Sequence, residues 1–87
     1  MGIFESSDPE YARVYAQESV MVDASELIAD AMQKAGVAPV ELAGLLRSDE
    51  TKVSNLLAGE HDISVRHLAE VLQLLRHRLE LRSIAEQ

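Results

Sequence analysis

A small all-α domain of about five helices is the expectation for these 87 residues, and three features carry it. Apolar residues recur at three- and four-residue spacing through most of the chain, as the buried face of a helix requires. Helix-start residues (Asp8–Pro9, Pro39, Asp49, Ser64) alternate with glycine stops at Gly36 and Gly59. The composition is 47% apolar but only 3% aromatic, so Leu, Val, Ala and Ile must build the core, which suits helix-on-helix packing. A chain this short is marginally stabilised by its own core, and stability assisted by a partner would be unsurprising.

The first helix starts at Asp8, whose side chain can accept a backbone N–H, with Pro9 at a position that needs no donor. Tyr11, Val14, Tyr15 and then Val20 or Met21 fall roughly on one face. Asp23 and Glu26 have capping-box spacing ahead of the apolar stripe Leu27, Ile28, Ala31, Met32 and Ala35, and Gly36 is a natural stop. No Gly or Pro separates Pro9 from Gly36, so one long helix and two helices bent near Val22–Asp23 both remain open. Pro39 opens the next helix, Pro39–Leu46, and Ser48 or Asp49 caps another, Asp49–Ala58. Ser64 caps a helix whose stripe is Val65, Leu68, Ala69, Val71, Leu72 and Leu75. In the tail, His77, Leu79 and Leu81 alternate with Arg76, Arg78, Glu80 and Arg82, a period of two that predicts a short C-terminal β-strand over 77–83. A continuing helix through Leu68, Leu72, Leu75 and Leu79 is the alternative. Three units follow: an acidic helical extension (1–22), the main domain (23–76) and a tail (77–87).

The net charge is −7, unevenly placed. Residues 1–33 carry seven acids against Arg13, hence −6; residues 34–87 carry eight acids against seven bases, hence −1. The acidity therefore argues only weakly against a nucleic-acid ligand for the second part. There is no cysteine, which removes disulfides and thiolate metal sites. No apolar run approaches the ~20 residues that span a bilayer, and "MGIFESSDPE" lacks the basic start and apolar centre of a secretory signal. A cytoplasmic protein without a membrane association is expected.

Two short helices crossing steeply after a tight turn need a small residue midway along the first and branched apolar residues on the second. Ala43 is such a small residue, Leu42 and Leu46 face inward, and Val53 and Leu56 form the wedge. Through "ELAGLL", "VSNLLAG" and the following "SVRHLAEVLQLL", the chain resembles the helix-turn-helix of Xre/Cro-type transcriptional regulators from about Ser25 to Arg82. The trailing "RHRLELR" is similar to the short C-terminal strand of compact, antitoxin-like members. The resemblance implies a lambda-repressor-like fold, a sequence-specific DNA-binding repressor, phage-type or antitoxin-like, and a homodimer on double-stranded DNA. Two departures stand out: Arg47 occupies the turn position where the family favours Gly, and Asp49 and Glu50 begin the recognition helix where Ser and Gln are common.

Thr51, Ser54 and Asn55 should project from that helix with Lys52 beside them. Asn can pair twice with adenine, Ser and Thr can reach bases or phosphates, and Arg47 and Arg66 can grip flanking phosphates. An ordinary solvated polar face explains the same residues. Asp49 and Glu50 are open to three readings: first-turn acids complementing the helix dipole, a carboxylate such as Glu50 accepting from cytosine N4, or a unit that no longer binds DNA. In the last case the acidic surface would dock a basic protein such as a toxin. Dimerisation is expected through the tail, with Leu79 and Leu81 as contacts, or through Tyr11, Val14 and Tyr15. The three histidines have no metal-ligand spacing and no clear carboxylate partner, and no catalytic triad or phosphate-cradling loop is present, so neither enzyme activity, metal nor cofactor is expected.

Overall fold

The computed structural model describes residues 8–85; the first seven residues of the acidic extension and the last two of the tail lie outside them. Among the described residues there are four helices and no strand: α1 Pro9–Ala35, α2 Pro39–Leu45, α3 Glu50–Ala58 and α4 Val65–Leu74. The all-α expectation holds, but the count of five becomes four, because the two N-terminal segments are one 27-residue helix. Asp23 is an exposed residue of its interior, not the cap of a new helix. Continuing a helix adds a hydrogen bond for each residue fixed, whereas restarting one requires a costly nucleus. Capping-box spacing therefore yields to a chain without Gly or Pro.

Each start is capped as its sequence dictates. Asp8 accepts the backbone N–H of Glu10 at 3.0 Å and Tyr11 at 3.4 Å. Asp49 accepts from Lys52 at 2.9 Å and Ser64 from His67 at 3.0 Å. At α2 the cap runs the other way, with Ala38 N–H donating to the Glu41 carboxylate at 2.7 Å.

Three helices end in the same closure, an N–H reaching back five residues past a left-handed residue: Val37 to Met32 (2.9 Å), Ser48 to Ala43 (2.8 Å) and His77 to Leu72 (2.8 Å). The left-handed residue is Gly36 in the first, but Arg47 (φ 55°) and Arg76 (φ 64°) in the others. A side chain there costs about 1 kcal/mol relative to Gly. Arg47→Gly and Arg76→Gly should each raise the unfolding free energy by about that much in urea titrations. A loss of stability in both would contradict the strain argument.

The C-terminal half of α1, where its buried residues lie, packs on α3 and α4, and α2 packs on α3. Ile28, Leu42, Val53, Val71 and Leu75 are at most 1% exposed and form the centre, with Ala43 buried beside them. Leu56, expected in the wedge, is only half-buried at the edge of this core. Residues 8–18 of the α1 segment are all exposed, so the N-terminal turns extend beyond the packed part.

The expected strand over 77–83 does not form, and neither does the continuing helix. Arg76 turns the chain out of α4. Residues 78–85 make no backbone–backbone hydrogen bond among the described residues. A strand needs a neighbouring strand, and the single chain offers none. The period of two survives as alternating burial: His77 and Leu79 are half-buried, Arg78 and Glu80 exposed.

Candidate nucleic-acid interface

α3 turns Val53, Leu56 and Leu57 toward the core, which leaves Thr51 and Asn55 on the opposite side with Ser54 and Lys52 flanking them. All four are exposed. Asp49 is committed to capping, since its carboxylate holds the Lys52 N–H at 2.9 Å. Glu50 is exposed in the first turn, on the flank away from Lys52. The cap gives Asp49 a structural role, while Glu50 is a solvated acid beside a polar face.

The turn between α2 and α3 carries Arg47 to the rim of an open hollow of about 350 Å³, lined also by Leu46, Ser48, Lys52, Val53, Leu56 and His67. Arg47 in the turn and Lys52 on α3 are thereby brought to one hollow. His67 on its rim was not singled out from sequence. Its Nδ1 lies 3.3 Å from the Glu70 carboxylate one turn along α4, correcting the expectation that no histidine has a carboxylate partner. An acid three residues after a histidine on a helix is the signal that would have found it. Arg66 is exposed in the first turn of α4 but does not line the hollow.

Charges on the two parts of the chain are handled differently. Arg13 pairs with Glu10 at 2.6 Å and Lys34 with Asp30 at 3.0 Å, so the bases of α1 are taken up by its own acids. Arg47, Lys52 and Arg66 form no ion pair among the described residues.

α3 is held close to α1 at its C-terminal end. Gly59 has φ 73°, and a Cβ there would stand 3.0 Å from Ser25 Oγ and 3.5 Å from Val22 Cα. Ser25, buried at this crossing, donates to the Val22 carbonyl at 2.8 Å, which keeps its hydroxyl satisfied.

The expected dimer contacts part company. Leu79 packs against its own core, whereas Leu81 is 66% exposed. Leu81 edges an open groove of about 700 Å³ with Val20, Met21, Ala24, Ile63 and Val65. Among the described residues no cluster of three or more His, Asp or Glu could hold a metal ion, and no helix is long and apolar enough to cross a membrane. No family model matches the chain, and neither a curated protein nor a solved structure shows significant similarity to it.

Proposed function

We propose that the chain is a sequence-specific DNA-binding transcriptional regulator, an autorepressor or antitoxin-like protein of Xre/Cro type, acting as a homodimer. The observation that carries this reading is the α2–α3 pair: Ala43 and Val53 buried between its helices, Thr51, Ser54 and Asn55 exposed on the outer side, and unpaired Arg47 and Lys52 alongside. In this reading the pair is a helix-turn-helix and α3 enters the major groove. Asn55 pairs with adenine, Thr51 and Ser54 contact base edges or phosphate, and Arg47, Lys52 and Arg66 hold the backbone. Asp49 keeps its cap and takes no part in reading bases.

One such helix offers too few contacts for specificity, so two copies must present half-sites about one helical turn apart. The tail is suited to join them, because its backbone groups from 78 onward are unpaired among the described residues. An antiparallel pairing with its two-fold axis at Leu81 would set Glu80 opposite Arg82 of the second copy, and the reverse, giving two opposite-charge cross-strand pairs. A monomeric mass by light scattering at ~100 μM would count against the dimer.

Selection from a random duplex library at ~20 mM salt tests the DNA reading, since an acidic chain binds non-specifically only when phosphate charge is poorly screened. One sequence should be enriched. Against it, Asn55→Ala should lose ~1–3 kcal/mol with non-specific binding nearly unchanged. Arg66→Ala should weaken all duplexes and reduce the salt slope by about one counterion. Glu50→Gln should raise non-specific affinity by removing a like charge beside the phosphates. A confirmed dimer that enriches nothing refutes the reading.

A further inference from the structure

The geometry points to a second docking surface, on the N-terminal turns of α1, that takes a basic amphipathic helix of a partner protein. Val14, Tyr15, Glu18 and Val22, with Tyr11 before them, follow the i, i+3, i+4, i+7, i+11 spacing of one helix face. Val14 is 39% exposed, Tyr15 62% and Val22 45%. One turn further the same stripe reaches Ser25, where it is covered by the end of α3 at Gly59. Among the described residues, the stripe is thus a packing face with the end of α3 against it at Ser25, while Val14, Tyr15 and Val22 stay exposed. The aromatic rings of Tyr11 and Tyr15 stack along it at 6.1 Å, a flat apolar surface with polar tips of the kind that serves as an interface anchor.

Charge selects the occupant. Glu18 stands within the stripe and Glu26 on its flank, and neither is ion-paired among the described residues. Arg13, the one base between Asp8 and Asp30, lies on the far side of the helix and is held by Glu10. A second copy would set acid against acid and bring no cation to Glu18, which disfavours self-pairing. A helix with aliphatic residues at helical spacing and Lys or Arg between them satisfies both the apolar face and the carboxylates. No residue of the 47–55 segment belongs to this stripe, so the surface is separate from the α3 face and does not depend on the DNA reading.

The test uses the full chain without DNA. Its two tyrosines are its only strong fluorophores, as it has no tryptophan, and both sit on the stripe. The probe is a synthetic amphipathic helix with Leu on one face and Lys on the other. Two controls accompany it: a Leu/Glu peptide with the same apolar pattern, and a Lys/Ser peptide without Leu. The Leu/Lys peptide should bind one to one and change the tyrosine emission, and both controls should bind at least about tenfold more weakly. Val14→Ser and Glu18→Lys, both at exposed positions and so without effect on folding, should each weaken the Leu/Lys complex about tenfold. Equal binding of the Lys/Ser peptide, or unchanged affinity in both variants, overturns the proposal. So does a protein that becomes monomeric with Val14→Asp, since a second copy then covers the stripe. A deletion of residues 2–7 that alone strengthens peptide binding about tenfold or more shows the chain's own N-terminal segment to be the occupant, and overturns it equally.

Discussion

Val53→Asp should abolish cooperative unfolding. Val53 is 0% exposed, at the point where α3 meets both α1 and α2. Replacing it removes ~1.5–3 kcal/mol of apolar burial. It also forces a carboxylate into a position closed to solvent, beside a hollow whose bases Arg47 and Lys52 are themselves exposed, which costs several kcal/mol more even if the group takes up a proton. A domain of this size holds only about 5–10 kcal/mol in total. The far-ultraviolet dichroism should therefore weaken at all temperatures and show no sigmoidal melt. Val65→Asp is the control, because Val65 is 59% exposed. There the midpoint should move by about 3 °C or less. A Val53→Asp protein that melts cooperatively near the wild-type temperature would remove the basis for treating α2 and α3 as one packed unit.

The elements were legible where the signal was local. Asp8, Asp49 and Ser64 cap the helices their chemistry marked, and Gly36 and Gly59 end the first two of these. Ala43 and Val53 lie buried at their crossing because the spacing of small and branched residues is itself a packing specification. Two features depended on competition between local and longer-range terms. At Asp23 a capping signal met an uninterrupted helix, and propagation won. In the tail, alternation marked His77 and Leu79 as inward but not Leu81, which is exposed, and alternation cannot supply a neighbouring strand. The exposed polar face of α3 was legible for the same reason as the core: fixing Val53 inward places Thr51 and Asn55 outward. The hollow that joins Arg47, Lys52 and His67 was not, because it depends on the left-handed turn at Arg47 and on how α4 returns toward α3.

The same crossing predicts a contrast between two glycines. Gly36 and Gly59 have nearly equal φ, 69° and 73°, so a side chain at either meets similar backbone strain. They differ in space. Nothing lies within 4 Å of a Cβ at Gly36, whereas one at Gly59 meets Ser25 Oγ at 3.0 Å and Val22 Cα at 3.5 Å. The hydroxyl is tied to the Val22 carbonyl, and the Cα belongs to the α1 backbone, so neither can retreat cheaply. Gly36→Val should cost about 1–2 kcal/mol, the strain of a β-branched residue at positive φ. Gly59→Val adds overpacking of about 1–3 kcal/mol and should cost roughly 2–5 kcal/mol. Ser25→Ala, which removes the nearest atom, should recover about 1 kcal/mol of that loss in a double-mutant cycle. Equal destabilisation at the two glycines would mean that α3 does not approach α1 closely at Gly59. Since that approach fixes which residues of α3 face outward, any specific duplex affinity should fall in Gly59→Val and persist in Gly36→Val.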